Sequence, residues 1–346
     1  MENARSLYVG EICEGGTCLD RLRALMDLGL SAKAFDTTPY LRQGPRLLRS
    51  IAHRYNLGPA IRRLNEGLLA FADKNCDYTH VWIDKGKWIW PETLQRLKRD
   101  NGTTLVHFTA DAALVSNQSR HFRECIPLYD VLFTTKPFEL ELYKKLGARN
   151  LHLTFQAYEQ TRFFPASCSS EALHRFGSDI TFIGHYEKHY ADCINALASS
   201  GMNVRVWGQK WDWYRRLHPW RGKFVAGDGV WGEDYPIALR CAKIALGLLS
   251  KWIPETTTTR TFEIPACAVF MLAERTEEHL SNFVEGKEAE FFGSQEELIE
   301  KARFYLGHPE ERQRIAQAGY ERCVKSGYSN HERLKWMLAR VMECKR

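Results

Sequence analysis

The chain has 346 residues, of which 44% are hydrophobic and 26% charged, and its formal net charge is +6. Since single cores stop growing at ~250–300 residues, this length predicts two globular domains. No run approaches the ~18 apolar residues of a membrane span, and the basic residues are spread along the chain, which disfavours a nucleic-acid-binding protein.

Short apolar segments alternate with amphipathic ones along the first half, a pattern typical of an α/β protein with parallel sheets. Leu22, Leu25 and Met26 are spaced as on one face of a helix, which predicts a helix after the first strand. Five strands are predicted in this half, at residues 6–10, 78–83, 104–108, 131–135 and 151–155.

A linker is predicted at residues 163–170, FFPASCSS, where proline and small polar residues interrupt the pattern. Beyond it, strands are predicted at residues 180–184, 203–208, 243–249 and 268–272. Two amphipathic helices are predicted to close the chain; their apolar faces carry Leu298, Ala302, Tyr305 and Leu306 in the first, and Leu334, Met337, Leu338 and Val341 in the second.

The predicted fold is therefore α/β, with two Rossmann-like doubly wound domains facing across a cleft. The first covers residues 1–165 and the second residues 166–327. The last helix, within residues 328–346, needs a partner for its apolar stripe and is expected to pack back on the N-terminal domain. In such sheets a ligand binds beyond the carboxyl ends of the strands.

Cysteine spacing and the N-terminal segment bear on the compartment. The 10 cysteines are scattered and include no CxxC pair, so reduced thiols are expected rather than disulfides or a zinc site. The opening segment, MENARSLYVGEI, lacks the basic and apolar regions of a signal peptide, which favours a cytoplasmic protein.

The segment TTTTRTFEIPA at residues 256–266 is the strongest candidate ligand site. With Pro265 in the first helical turn, the free amides there, beside Thr258 and Thr259, would form a cradle for a diphosphate. Arg260 would take phosphate oxygens bidentately, and Glu263 would accept from ribose hydroxyls. The alternative is an intrahelical ion pair between Arg260 and Glu263 behind a threonine N-cap.

A second contribution is expected from FIGHYEKH at residues 182–189, where a strand ends in glycine before basic residues. Gly184 would let a ligand approach the backbone closely, and His185 and Lys188 would then meet phosphate groups. For Lys188 the alternative is a solvated surface charge.

A third contribution is expected from VWGQKW at residues 206–211. Gly208 and the backbone near Gln209 are candidates for the edge of a nucleobase, and Trp207 is a candidate for stacking on it. The alternative for Trp207 is a place in the core.

The N-terminal half supplies the candidate bases, in and near LVHFTADAAL at residues 105–114. Asp111 follows the predicted strand and would take the proton of an acceptor hydroxyl. Glu11, just after the first strand, is its rival. His107, inside the strand, is a third candidate for a catalytic role. The alternative is that it is a histidine of the core.

No DxD triplet occurs in the sequence. A protein that holds a diphosphate through a divalent metal commonly uses such a carboxylate pair, so we expect neither a metal nor another cofactor. Helix amides and basic side chains would then stabilise the leaving diphosphate.

Several of these segments together resemble the CgeB-like (spore-maturation-type) glycosyltransferases, relatives of the glycosyl transferases group 1. The similarity extends over about residues 125–345 and is strongest in TTTTRTFEIPACAVFMLAERTEEHLSNFVEGKEAEFF. It implies a GT-B fold, a nucleotide-sugar donor held by the C-terminal domain, and no metal dependence. It also implies that Glu263 holds the ribose, and it places His185 where an arginine is common.

The function expected from these observations is transfer of a sugar from a nucleotide-sugar to an acceptor that is a glycan, a protein or a small molecule. The alternative is a catalytically inactive nucleotide- or sugar-binding protein of the same fold. A nicotinamide-dependent oxidoreductase is disfavoured because the first strand continues as YVGEICEGG, without GxGxxG.

Overall fold

The computed structural model describes residues 5–42, 45, 49, 55–98, 102–116, 118–219 and 222–344. It divides into two compact units. Unit 1 comprises Met1–Phe155 with Asn330–Arg346, and unit 2 comprises Gln156–Ser329.

The boundary between the units precedes the predicted linker, because residues 156–165 pack within unit 2. Tyr158 forms a parallel bridge with Ser329. Phe163 is buried and lies edge-on to Tyr235, with ring centroids 5.5 Å apart. The proline-containing segment is thus a part of unit 2 that is held by aromatic contacts.

Unit 1 is built on a six-stranded sheet of parallel strands. Its strands are β1 (Arg5–Gly10), β2 (Ser31–Asp36), β3 (His80–Asp84), β4 (Thr104–Thr109), β5 (Val131–Thr134) and β6 (Leu151–Leu153). They lie in the order β2-β1-β3-β4-β5-β6. Strands β3 and β4 are buried along their whole length, as expected for a parallel sheet covered on both faces. The edge strand β2, which is mostly exposed, was not predicted because it lacks a continuous apolar run.

The helices of unit 1 that precede residue 156 cover both faces of this sheet. They are α1 (Thr17–Asp27), α2 (Thr38–Leu41), α3 (Pro59–Lys74), α4 (Pro91–Leu97), α5 (Arg120–Cys125) and α6 (Leu140–Lys145). In α1 the buried positions include Leu22 and Leu25, whereas Met26 is 51% exposed. The prediction that Met26 shares the apolar face was wrong, because one further residue turns its side chain ~100° away from Leu25.

Unit 2 has a second six-stranded parallel sheet. Its strands are β7 (Ser178–Ile183), β8 (Val204–Trp207), β9 (Val225–Gly227), β10 (Ala242–Gly247), β11 (Phe270–Glu274) and β12 (Glu290–Phe292). They lie in the order β12-β11-β10-β7-β8-β9. The two edge strands, β9 and β12, were missed because each has only 3 residues, too few for a periodic pattern.

Eight α-helices are described in unit 2, and they alternate with its strands before two of them follow one another. They are α7 (Ser170–Phe176), α8 (Lys188–Ser199), α9 (Trp211–Leu217), α10 (Asp234–Arg240), α11 (Arg260–Ala266), α12 (Glu277–Asn282), α13 (Gln295–Gly307) and α14 (Pro309–Lys325). Helix α14 is absent from the prediction of two closing helices, although it buries Ile315, Ala316 and Cys323. Within the described residues, each helix is too short or too polar to span a lipid bilayer.

Both sheets have a point at which the strand order reverses. In unit 2 the chain proceeds outwards from β7 through β8 and β9, and then returns to β10 on the other side of β7. In unit 1 the corresponding neighbours are β1 and β3. Connections on opposite faces leave a crevice beyond the carboxyl ends of such neighbouring strands, and ligands of doubly wound sheets bind there.

The last helix, α15 (Asn330–Glu343), packs against α1 in unit 1. Its apolar stripe, formed by Leu334, Met337, Leu338 and Val341, joins one buried cluster with Tyr8, Leu22 and Trp82. Trp336 on the same helix meets Phe133 edge-on, with ring centroids 6.1 Å apart. The end of the chain therefore belongs to the unit that contains its beginning.

Truncation of this stripe tests the packing of α15. Leu334 is 1% exposed, so Leu334→Ala is expected to reduce the free energy of unfolding by about 2–5 kcal/mol through lost burial and a cavity. Met342 on the same helix is 44% exposed, and Met342→Ala is expected to change it by less than about 0.5 kcal/mol. Urea unfolding of the full chain measures the free energy of unfolding of both variants. If Leu334→Ala destabilised the chain as little as Met342→Ala, this packing would be contradicted.

Candidate functional site

Arg260, the first residue of α11, lies at the crevice of unit 2. Its Nη1 donates to the carbonyl oxygen of Ile183 (3.3 Å) and its Nη2 to that of Leu248 (3.1 Å). Ile183 ends β7 and Leu248 directly follows β10, so the guanidinium joins the carboxyl ends of the two strands at which the order reverses. Gly184 lies beside it: a Cβ at that position would be 3.3 Å from Arg260 Nη1 and 2.8 Å from the ring of Phe182.

Glu263 lies one turn further along α11 and is only 4% exposed. The hydroxyl of Tyr235 donates to its Oε2 at 2.7 Å. Burial raises the pKa of Glu263, although the bond from Tyr235 and the charge of Arg260 act in the opposite direction. Thr259 also hydrogen-bonds to this carboxylate. A carboxylate has about four acceptor positions, so these two bonds leave capacity for a ligand.

The start of α11 differs from the prediction. Because the helix begins at Arg260, Pro265 lies near its end and not in the first turn. The amide of Thr258 donates to the hydroxyl of Thr261 (3.1 Å), and the Thr258 side chain is buried. Thr258 therefore offers a ligand neither its amide nor an exposed hydroxyl. The predicted cradle is reduced to the two residues after it, Thr259 and Arg260.

The loop after β7 contains His185, whose side chain is 57% exposed. Its Nε2 lies 3.0 Å from Oε1 of the buried Glu187, whose Oε2 accepts from the amide of Lys251. Lys188 has a different position, at the first residue of α8, where its ammonium bonds to Asp192 at 2.8 Å. With 85% of its side chain exposed, Lys188 corresponds to the alternative of a solvated helix-surface charge.

The loop after β8 brings together the three residues predicted to meet a nucleobase. The ring of Trp207 is half-buried and packs edge-on against Phe176, with centroids 5.5 Å apart, so it lies at the margin of the core and not within it. Gly208 is required by close packing, because a Cβ there would be 1.8 Å from the carbonyl oxygen of Gly184. Gln209 exposes its side chain and accepts from the Tyr186 amide through its carbonyl (2.9 Å).

A polar network beside Arg260 was not predicted from the sequence. Glu274 at the end of β11 accepts from the amide of Leu249 (2.7 Å), lies 3.0 Å from Nε2 of His189, and pairs with Lys251. The predicted strand ended at residue 272, so Glu274 was not recognised as a carboxylate at a strand end. Tyr235, the partner of Glu263, belongs to the segment GEDYP and was likewise not predicted as a site residue.

Unit 1 has its own cavity, of about 270 Å³, at the carboxyl ends of β1, β3 and β4. It brings together Asp111 and Glu11, the two carboxylates predicted as bases. Asp111 Oδ2 lies 3.6 Å from Nζ of Lys85. The lining residues are Glu11, Lys85, Lys87, Trp88, Thr109, Asp111, Ala113 and Phe122.

His107 is a residue of the core and not of this cavity. It has no exposed surface, and its ring lies 4.8 Å from that of Phe122 and 4.9 Å from that of Tyr129. Burial lowers its pKa to about 4, so the ring is neutral at pH 7. Its Nε2 is 3.0 Å from the carbonyl oxygen of Lys85, which can only accept, so Nε2 carries the hydrogen. His107 thus holds the Lys85 turn in place, and a role as base is excluded by its burial.

The turn after β3 has a strained backbone. Lys85 and Gly86 have φ values of +68° and +65°, the left-handed region that residues other than glycine rarely adopt. Beneath it, the buried Asp84 accepts from Arg21 Nε and from the Tyr8 hydroxyl, each at 2.7 Å. The three lining residues Lys85, Lys87 and Trp88 were missed because the predicted strand ended at residue 83 and the turn after it carried no predicted role.

No group of three or more histidine, cysteine, aspartate or glutamate side chains suited to a metal ion occurs within the described part of the chain. Two carboxylates of these sites are paired instead with basic side chains: Asp111 with Lys85, and Glu274 with His189 and Lys251.

Comparison with known proteins agrees with this architecture. Residues 188–339 match the family model described as glycosyl transferase-like. The spore protein CgeB of Bacillus subtilis is 24% identical over 215 residues, which cover 58% of this chain and 65% of CgeB. The chain therefore spans less than two thirds of that relative.

Solved structures are similar over nearly the whole chain. The sucrose-phosphate synthase from Thermosynechococcus elongatus superposes with a TM-score of 0.70 at 11% identity, covering 99% of this chain and 100% of its own. A glycosyltransferase from Rickettsia africae gives 0.70 at 12% identity and covers 100% of both chains. HepE of Anabaena, in complex with UDP-glucose, gives 0.65 at 11% identity, over 97% of this chain and 99% of its own.

The two doubly wound parallel sheets and these structural neighbours define the GT-B fold. Residues 188–339, which lie mostly in unit 2, are similar to the glycosyl transferase-like family. The resemblance to CgeB-like members that the motifs predicted is confirmed by the similarity to CgeB itself.

Proposed function

We propose that the chain transfers a sugar from a nucleotide-sugar to an acceptor nucleophile. The donor binds at the crevice of unit 2, and the acceptor binds in the cavity of unit 1. The observation that carries this proposal is the position of Arg260 at the carboxyl ends of β7 and β10. The complex of the neighbour HepE with UDP-glucose supports a nucleoside diphosphate as the carrier of the donor sugar.

Arg260 is the proposed partner of the diphosphate. A guanidinium has five N–H donors, and the two backbone carbonyls that Arg260 contacts use only part of them. The others suit the oxygens of a phosphate, which arginine binds bidentately. As the bond to the sugar breaks, negative charge develops on the diphosphate, and a cation fixed in place stabilises it. Gly184 and His185 are proposed to border the same group.

Glu263 is the proposed partner of the ribose. Its carboxylate is held by Tyr235 and by Thr259, so it meets a ligand without losing much side-chain freedom. Its remaining acceptor positions suit the two hydroxyls of a ribose. Gly208 and Gln209 lie on the next loop and are proposed to border the nucleobase, while Trp207 supports that loop from beneath.

Asp111 is the proposed base. It is in the wall of the unit 1 cavity, and a carboxylate within hydrogen-bond reach of an acceptor hydroxyl takes up its proton as the new glycosidic bond forms. Lys85 at 3.6 Å limits the rotation of this carboxylate. Glu11, across the same cavity, is the alternative base.

We propose that the reaction needs no divalent metal. This is supported by the sequence, which lacks a DxD triplet, and by the cationic Arg260 at the place proposed for the diphosphate. Arginine then performs the charge stabilisation that a metal ion provides in other transferases.

The proposed roles of Arg260 and Glu263 are separable by ligand titration. Glu263→Ala is expected to weaken a nucleoside and its diphosphate alike, by roughly 10- to 150-fold, because both contain the ribose. Arg260→Ala is expected to weaken the diphosphate much more than the nucleoside, which lacks its partner. The nucleoside diphosphate used in the titration is first chosen by thermal shift, with diphosphates that differ in their base. A ligand present at ~100 times its Kd adds roughly 2.7 kcal/mol to the free energy of unfolding, so the best ligand raises the melting temperature most.

The control for this titration is Arg314→Ala. Arg314 is exposed on α14 and pairs with Glu311, outside the proposed site, so both affinities are expected to remain those of the unmodified chain. The unliganded melting temperature of each variant reports whether the fold is intact. If Arg260→Ala and Glu263→Ala both fold and bind like the unmodified chain, the proposed donor site is wrong.

Asp111→Asn tests the base. Hydrolysis of the selected nucleotide-sugar, with water as acceptor, is expected to slow by about 10²–10⁴-fold while affinity for the nucleoside diphosphate is unchanged. Glu11→Gln is the matched comparison, since it neutralises the other carboxylate of the cavity. A loss that follows Glu11→Gln alone would assign the base to Glu11, and unchanged rates in both variants would contradict a base in this cavity.

Chelation tests metal independence. Turnover in excess EDTA is expected to equal turnover with added magnesium or manganese, since the proposed cation is a side chain of the protein. Loss of activity in EDTA that returns with either metal would contradict the proposal.

A further inference from the structure

The cavity of unit 1 contains a lysine that the proposed reaction does not use. Resting on the proposed function, we infer that the acceptor is a carbohydrate with an anionic substituent, a carboxylate or a phosphate, and that Lys87 selects it. Three features of the cavity support this: the charges of its wall, its apolar side and its size.

The two lysines of the cavity have different partners. Lys85 is paired with Asp111 at 3.6 Å, and the charge of Glu11 also acts on it. Of the two lysines, only Lys85 thus has a carboxylate of the wall within ion-pair distance. Lys87 makes no ion pair with any carboxylate of the described residues, although its side chain is half-buried.

Because the ammonium of Lys87 is partly buried, a negative charge placed next to it would stabilise its charged form. Loss of water around it lowers the pKa of Lys87, and the negative charge of Asp111 only partly compensates. Lysines that are half-buried without a partner keep part of their desolvation cost, which a bound anion offsets. An anionic acceptor would supply the direct counter-charge that Asp111 gives to Lys85 and that Lys87 lacks.

The apolar side of the cavity favours a sugar ring. Trp88 and Phe122 line it next to the charged residues, and Lys87 Nζ lies 6.0 Å from the centre of the Trp88 ring. A pyranose has an apolar face that packs on aromatic surfaces and hydroxyls that bond to carboxylates such as Asp111 and Glu11. At about 270 Å³ the cavity is close to the lower limit of small-molecule sites, ~300 Å³, so it fits one sugar ring.

Titration of the full chain with glucose, glucuronate and glucose 6-phosphate tests this inference. The two acidic sugars are expected to bind about 10-fold or more tightly than glucose, and salt is expected to reduce the difference by screening. Lys87→Gln is expected to abolish the difference by weakening the acidic sugars alone. Lys145→Gln, which removes an exposed lysine of α6 outside the cavity, is expected to preserve it.

Three results would overturn the inference. The first is equal binding of glucose and the acidic sugars by the unmodified chain, and the second is a preference that persists in Lys87→Gln. The third comes from inorganic phosphate as a fourth probe: if it binds as tightly as glucose 6-phosphate, the site takes an anion and not a carbohydrate. A chain that selects acidic sugars through Lys87 but neither binds a nucleoside diphosphate nor hydrolyses a nucleotide-sugar would contradict the proposed function and leave only an acidic-sugar site in this cavity.

Discussion

The contact of the Arg260 guanidinium with the carbonyls of Ile183 and Leu248 determines how unit 2 presents its crevice. Parallel strands end in carbonyl groups that have no partner in the sheet, and two such groups meet where the strand order reverses. A guanidinium satisfies both and places a fixed positive charge at the same point. Gly184 leaves room for it, and Gly208 allows the neighbouring loop to approach Gly184 closely.

In unit 1 a buried ion pair lies at the corresponding place, the carboxyl end of a central strand. Asp84 at the end of β3 is bound by Arg21 and Tyr8, so the chain turns sharply directly above a rigid network. His107 bonds to the carbonyl of Lys85 and supports the left-handed turn from the side. Removal of one partner would leave a buried charge uncompensated, at a cost of about 3–5 kcal/mol, so the turn that carries Lys85 depends on both partners.

The sequence was sufficient for the central strands and for the class of fold, because buried parallel strands are continuous apolar runs. It was insufficient for β2, β9 and β12, which lie at sheet edges and are short or half exposed. The sequence also placed Asp111 and Glu11 at strand ends, where the structure has them in one cavity. The sequence allows His107 to be either a catalytic or a core residue, and its ring contacts with Phe122 and Tyr129 place it in the core.

The remaining differences depend on where individual elements begin and end. Helix α11 begins a few residues earlier than predicted, so Pro265 lies near its end and not in its first turn. The amide of Thr258 bonds to Thr261 within the protein and is not available to a ligand. Strand ends placed one or two residues too early hid Lys85 and Glu274. Pairings such as Tyr235 with Glu263 join residues 28 positions apart, and no local pattern in the sequence predicts them.

The most direct measurement is a crystal structure of the full chain with the nucleoside diphosphate that stabilises it best. We expect phosphate oxygens within about 2.7–3.2 Å of the Arg260 guanidinium nitrogens and the ribose hydroxyls at Glu263. A nucleotide bound elsewhere, for instance in the cavity beside Asp111 with Arg260 still contacting only the carbonyls of Ile183 and Leu248, would contradict the proposed division of roles between the two units.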